Sequence, residues 1–453
     1  MASSRIGKQA IVIGAGMGGL AATGALAGHF EKVIVLDRDS LPSEPVPRAG
    51  TPQARHLHGL LPGGQRALSE LFPHFEEDLA EAGAVPLKVA SELRMEMPGL
   101  GPMPQRDFGG HFYCISRPLL ELVTRRQAER LANVTIRPEC RVLEIVATPD
   151  GETVTGVTYE AADGRKEFLP ADLVIDASGR AAPTIALLGS TGRATPDEVV
   201  IEVDLHYTTG NFVIPDDAST DWRGIATHPH APERSRGGYM LPIEGNRWVL
   251  TLTGRLGERP PADPDGFMAY AQTLETRTIY DAIKHAERVG GFERFAFTAS
   301  TWRRFDRLAF FPRHLLPLGD SICRFNPVYG QGMTVASQEA RLLRRLLRDR
   351  AANADPLDGL AGTFLAETLP LVQAPWNMSA MPDLVYPETR GERPADFQNQ
   401  LKYNGALTRL AIRDPAIHKL MVEVQQLLVP PSALQDPAVD RLVRAELAQM
   451  ATA

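Results

Sequence analysis

A chain of 453 residues, 43% hydrophobic and 23% charged, has ample length for a buried core of two or three structural units and the composition of a soluble globular protein. Its net charge of −7, with no basic stripe, excludes nucleic acid as a partner. The three cysteines, Cys114, Cys140 and Cys323, lie far apart and form neither an even disulfide set nor a metal-ligand spacing, which fits a reducing cytoplasm and no metal site.

The first stretch, QAIVIGAGMGGLAATGALAGHFEKVIVLDRD from Gln9 to Asp39, predicts strand, glycine turn, helix and strand. Gly14 permits a tight turn, Gly16 lets a pyrophosphate approach the backbone, and Gly19 lets the helix pack closely on the sheet. The helix N-terminus then faces the phosphates. Asp37, about 20 residues beyond the turn, stands where an acid accepts the ribose hydroxyls. Residues 9 to 28 carry no charge, and Arg5 and Lys8 precede them, so a membrane span or a signal peptide competes for the same stretch. The density of glycines and the strand that follows, ending in an acid, argue against both. The expectation is a dinucleotide site and no integral membrane span.

After a proline-rich turn from Leu41 to Pro47 come Arg48, Arg55, His56 and His58. Such a segment can return across the phosphates, where guanidinium groups pair with them. Arg38, directly after the acid, is placed with the cofactor-contacting arginines. On an extended segment His56 and His58 would share one face; without a Cys or carboxylate in register they do not make a metal site. A helix is expected from Gly63 to Phe72, and residues 85 to 112 read as loop with short strands. Ser116 fits an N-cap and Pro118 an early helical position for a helix running to about Leu131. Val134–Ile136, Arg141–Val146, Val154–Tyr159 and Glu167–Leu169 read as a small meander, with Asp163-Gly164 as a hairpin turn. Leu173 to Arg180, LVIDASGR, is a buried strand and a small-residue turn.

From Val199 to Gly254 the pattern changes to period two, and Glu244 to Arg247 links two strands as a hairpin. Helices follow from Phe267 to Arg288. Leu315 to Asp320 is another strand ending in an acid, followed by Asn326, Pro327, Gly330, Gln331, Gly332 and Met333 and a helix to about Arg348. Ala336, Ala340, Leu343 and Leu347 line one face of that helix. A second phosphate contact for Asp320 is excluded by charge, and a sugar-alcohol hydroxyl is its natural partner. The tail is helical, punctuated by Pro375, Pro382, Pro387, Pro394 and Pro415, with an apolar face at Ile417, Leu420, Met421, Val424 and Leu428.

GAGMGG with Asp37, DLVIDASGR, and LPLGDSICRFNPVYGQGM together resemble the single-component FAD-dependent monooxygenases of the para-hydroxybenzoate hydroxylase fold. The closest likeness is to squalene epoxidase and the bacterial polyene epoxidases of polyether pathways, through PQARHLHGLL, ISRPLLELVTRRQ, GQGMTVA and the tail with PWNM and RDP. The resemblance implies an α/β fold: an FAD-binding Rossmann-type three-layer domain, an inserted antiparallel-sheet substrate domain and a helical C-terminal region. The corresponding boundaries are 1–198 for the first part of the FAD domain, with a substrate-side loop at about 73–112, 199–300 for the substrate sheet, 301–350 for the second FAD part and 351–453 for the tail. It also implies that Asp320 holds the ribitol, that Pro327, Gly330, Gln331, Gly332 and Met333 meet the isoalloxazine, that Arg48 touches the pyrophosphate and that Arg117 contacts FAD. Two departures stand out. Ser321-Ile-Cys323-Arg324 replaces the usual small residues after the GD pair, and DASG replaces the hydroxylases' GADG, so their nicotinamide contacts do not carry over.

The implied chemistry is oxygen transfer: reduced FAD adds O₂ at C4a, and the hydroperoxide delivers an electrophilic oxygen to an alkene or activated ring of a sizeable apolar molecule, such as a secondary metabolite. His56 and His58 are the candidate bases. No second glycine fingerprint exists, so NAD(P)H binds transiently or a partner flavin reductase delivers the electrons. Leu87, Leu93, Met95, Met97, Leu100, Met103 and Phe108 suggest an adaptable lining for a long ligand. Three alternatives share the fold. A flavin halogenase should show a WxWxIP signature, which is missing; a prenyl reductase shares DASG but is disfavoured by GQGMTVA; and a non-redox prenyl-binding chaperone is opposed by the intact second FAD motif.

Overall fold

In the computed structural model, which describes residues 5–216, 218 and 220–452, the first apolar runs pair as expected. Gly7–Ile13 lies between Phe30–Leu36 and Leu173–Asp176 in a parallel five-stranded sheet, with Leu315–Pro317 at one edge and Val134–Arg137 at the other. Ala10, Val12, Val33 and Val35 face a helical layer, while Ile11, Ile13, Ile34 and Leu36 face the opposite side. Both faces are covered, so these strands read as unbroken apolar runs and not as alternating ones. The helical layer contains Met17–Leu26 and Gly332–Arg350, and the other face is closed by the antiparallel strands Arg141–Ala147, Val154–Glu160 and Lys166–Pro170. Val134–Ile136 therefore belongs to the parallel sheet and not to the meander. The helix Arg117–Glu129 returns the chain to that sheet edge, where the backbone of Val134–Arg137 pairs with Val33–Leu36.

The larger sheet has eight strands, of which Glu198–Val213, Gly224–Thr227, Gly237–Ile243 and Arg247–Arg255 come from the period-two region, while Arg288–Arg303 joins them from beyond it. It also recruits Leu93–Met97, parallel to Gly224–Thr227, and Cys323–Arg324, antiparallel to Arg288–Arg303. Alternation sends Phe212, Trp248, Leu250 and Leu252 against the helices Pro264–Gln272 and Thr278–Ile283. Tyr207, Thr209, Thr251 and Thr253 occupy the opposite face.

In the tail, Pro370, Pro375 and Pro382 lie inside one continuous helix, Leu360–Leu384, instead of ending it. The buried Phe364, Leu365, Val372, Trp376 and Leu384 anchor it where an unsupported helix would break. The last helices, Phe397–Arg413, Pro415–Gln425 and Pro437–Thr452, share a core with Met95, Met97 and Met103. Those methionines fill core and do not line an open site. Among the described residues, no helix is long and apolar enough to cross a membrane.

Candidate functional site

The glycine turn is built as its spacing requires. Gly14 has φ +100°, and a Cβ there would lie 2.7 Å from the Ala177 carbonyl oxygen. A Cβ on Gly19 would sit 1.8 Å from the Gly14 carbonyl oxygen, so that position admits glycine alone. Gly16 differs: its backbone is ordinary extended chain, and an added Cβ would meet only Arg48 Nη2, at 3.9 Å. Space is left open in front of Gly16, where the Met17–Leu26 helix begins with no side-chain cap. Its first N–H groups face that space.

Asp37, at the end of its strand, closes this turn from below. Ala15 N–H donates to its Oδ2 at 2.6 Å and Asp39 N–H to its Oδ1 at 2.9 Å. Arg48 Nη1 lies 3.2 Å from Asp37 and 2.8 Å from Asp39, and its Nε donates to Glu121 Oε1 at 2.6 Å. Glu121 Oε2 in turn pairs with Arg117 Nη1 at 2.9 Å. Two of the four arginines expected at the cofactor, Arg48 and Arg117, are thus joined through one carboxylate. Glu121 went unread in the sequence, although it stands one helical turn after Arg117, where i,i+4 pairs meet. Arg55 points elsewhere: the 3₁₀ turn Pro52–Arg55 directs it to Glu293, 3.3 Å away on the large sheet. Arg38 is exposed beside Asp39, at 3.9 Å.

Asp320 follows the edge strand in a short 3₁₀ turn. Its Oδ1 would be 3.6 Å from a Cβ on Gly332, and its own Cβ 3.9 Å from one on Gly179, so the acid stands between the DASG turn and the start of the Gly332–Arg350 helix. No group among the described residues donates to its carboxylate; burial pushes that carboxyl up, opposed by the charges of Arg324, Arg303 and Arg117. From Asn326, which accepts the Val328 N–H at 3.1 Å, the chain passes through a 3₁₀ turn at Pro327–Tyr329 and Gly330, φ +67°. Gln331 is buried, and its Oε1 has no hydrogen-bond partner among the described residues. Met333 packs on the main core.

The two histidines do not share one face. His56 is buried against Tyr207 and Phe295, and its Nδ1 lies 2.8 Å from Thr209 Oγ1. The chain of hydroxyls continues 2.7 Å on to Thr251, which accepts the Leu57 N–H. His58 turns back, its Nδ1–H donating to the His56 carbonyl at 2.9 Å. Burial lowers His56 to about 4, with Arg55 adding, and lowers His58 to about 3, with Arg117 next. Both rings are neutral at pH 7. The loop that carries them packs on the second turn: a Cβ on Gly330 would lie 3.6 Å from the Gly59 carbonyl oxygen.

Residues 8–356 match the model of a family described as FAD binding domain. The chain belongs to this FAD-binding family. A relative, Protein Rv3254 of Mycobacterium tuberculosis (strain ATCC 25618 / H37Rv), is 34% identical over 407 residues, covering 86% of this chain and 84% of its own length. Among solved structures, the flavin-dependent brominase Bmp2 superposes with a TM-score of 0.68 at 14% identity, over 98% of this chain and 100% of its own. PqsL, a probable FAD-dependent monooxygenase from Pseudomonas aeruginosa, gives 0.61 at 16% identity, over 84% and 97%. At such identities these two bear on the fold alone, and that fold is the expected one.

The residues of this FAD-binding protein fit the cofactor. The open space before Gly16 and the uncapped helix suit a pyrophosphate. Asp320, whose carboxylate takes no donor among the described residues, suits the hydroxyls of a sugar alcohol, and the first N–H groups of the Gly332–Arg350 helix close by have no intrahelical partner. Thr209, Thr251 and Tyr207 also carried no sequence signal beyond strand alternation, because their role depends on which face meets the loop of His56.

Proposed function

We propose that this flavin-dependent oxidoreductase is a monooxygenase that transfers one oxygen atom of O₂ to a sizeable apolar molecule carrying an alkene or an electron-rich ring, with epoxidation ahead of ring hydroxylation. The observation that carries this reading is the Asp320 carboxylate, which takes no donor among the described residues and stands between Gly179 and Gly332 at the same carboxyl end of the parallel sheet as the Gly14–Gly19 cradle. Two such sites along one sheet end suit the two halves of an extended dinucleotide, with its reactive end beside the second turn in this reading. When bound and reduced, FAD supplies activation of O₂.

In this reading the chain's own groups bind and orient. The N–H groups at Gly16 and Met17 take the pyrophosphate, Asp37 the ribose and Asp320 the ribitol, while Arg48 Nη2 faces the phosphates. Gln331 to Met333 present N–H groups, and the start of the Gly332–Arg350 helix favours negative charge developing on the ring beside it. His56, neutral and tied to Thr209, offers a fixed site for a proton if the substrate is a phenol, whereas an alkene requires no such base. Electrons come from NAD(P)H, bound transiently or used through a partner reductase.

The test is incubation of the purified protein with FAD, NADPH and ¹⁸O₂ against a polyene panel and a phenol panel, followed by product masses. One ¹⁸O atom in an alkene product is expected. Label entering phenols alone, with the rate lost in His56→Ala, would leave a ring hydroxylase; saturated, unlabelled products would make it a prenyl reductase.

A further inference from the structure

The second turn is held in place from outside the stretch that the family model matches. That stretch ends at residue 356, and Asp383, near the end of the Leu360–Leu384 helix, is wholly buried. Asn326 Nδ2 donates to both of its oxygens at 3.0 Å, and the Tyr329 hydroxyl donates to Oδ1 at 2.8 Å. Arg255, on the large sheet, pairs with the same Oδ1 and reaches the Tyr329 hydroxyl through Nη2 at 3.3 Å. Three parts of the chain thus meet on one carboxylate: the tail helix, a strand of the large sheet and both ends of Asn326–Tyr329.

A buried ion pair of this kind adds little net stability, because the cost of desolvation offsets the attraction. What it does supply is geometry. Asn326 sets the entry to the turn by accepting Val328 N–H, and Tyr329 immediately precedes Gly330, the left-handed residue before the helix. Burial, with the charge of Asp383 next, keeps the Tyr329 hydroxyl protonated and therefore a donor.

We propose that Asp383 is a positioning residue for the flavin, holding the Asn326–Gly332 turn against the ring and, through Arg255, tying that turn to the strand facing the substrate side. The inference rests on the reading of this turn as the isoalloxazine contact. It makes the tail a part of the cofactor site and not merely a cover over it.

Full-length protein stripped of flavin is retitrated with FAD, following flavin fluorescence for affinity and visible absorbance at saturation. Asp383→Asn should keep the far-UV circular dichroism of the wild type and bind FAD about tenfold or more weakly, the scale of a lost charged hydrogen bond. At saturation its flavin bands should be displaced and its midpoint potential raised, because the positive charge of Arg255 loses its counter-charge. Tyr329→Phe leaves the ion pair intact and should weaken FAD in the same direction by a smaller factor, with its own band displacement. A folded Asp383→Asn protein with wild-type affinity, bands and potential overturns the proposal. Should Asp383→Asn not fold, Tyr329→Phe decides, and wild-type affinity and bands in that variant overturn it equally. Wild-type protein that takes up no FAD overturns the cofactor reading itself, and shows this before any variant is made.

Discussion

Replacing Glu339 by glutamine should alter how the stability of this protein depends on pH. Glu339 lies on the Gly332–Arg350 helix, wholly buried, and its Oε2 accepts the Gly319 N–H at 2.6 Å. It thereby holds the turn, with φ +66° at Gly319, that presents Asp320. Its Oε1 has no hydrogen-bond partner among the described residues. Burial pushes this carboxyl up to about 8; the Gly319 N–H opposes the rise and the charge of Asp320 adds to it. In the unfolded chain the group ionises near its ordinary 4.5, whereas the folded protein keeps the proton until about 8. Between those values the folded state binds more protons, so stability is complete below 4.5 and falls as pH rises toward 8. The span corresponds to roughly 5 kcal/mol at most, and to about 2–3 kcal/mol once relaxation and water entry are allowed for. Glu339→Gln keeps a carbonyl oxygen for Gly319 and never ionises. Thermal midpoints of flavin-free protein, read by circular dichroism, should be most alike near pH 4.5, and the wild type should fall progressively below the variant as pH rises through 6 to 9. Parallel curves for the two proteins from pH 6 to 9 would refute the reasoning.

Gly16→Ala should fold, at a cost of about 0.5–1 kcal/mol for an alanine N-cap, and lose FAD; Gly19→Ala should fail to fold, since its Cβ would lie 1.8 Å from a carbonyl oxygen. Expression and flavin content separate the two, and a yellow Gly16→Ala protein contradicts the assignment of the turn. Asp320→Ala should purify folded and nearly colourless, because no group among the described residues donates to its carboxylate; flavin content equal to the wild type would remove Asp320 from the site. His56 sits at about 4 folded against an ordinary 6.5, so the unfolded chain takes up its proton first as pH falls. The resulting loss between those values is about 3 kcal/mol, and His56→Gln should shift the acid unfolding midpoint downward, which a pH titration of ellipticity reads directly.

Arg48 shows why such expectations need the tertiary structure. Read from the sequence, it is one contact to a pyrophosphate, and its removal would only weaken FAD. In the fold it is buried among Asp37, Asp39 and Glu121, so Arg48→Ala would leave three carboxylates without their shared cation. Loss of stability and loss of cofactor would then be inseparable.

The parts of this protein that the sequence determined by itself are those whose geometry closes within a few tens of residues. The turn at Gly14, the acid at Asp37 and the Asp320-to-Gly332 segment each join a strand to a helix, so the residue types needed at each bend are written locally. Apolar runs likewise declared which strands are covered on both faces. What only the tertiary structure decided was which surfaces meet. Periodicity assigns a residue to a face but does not name its neighbour, so Val134–Arg137 and Leu93–Met97 found unexpected sheets, and Met95 and Met97 found the tail helices. For the same reason His56 and His58 part company at a turn, and Asp383 reaches Asn326 across 57 residues of chain. Their partners are chosen by the packing of whole layers, which no local pattern encodes.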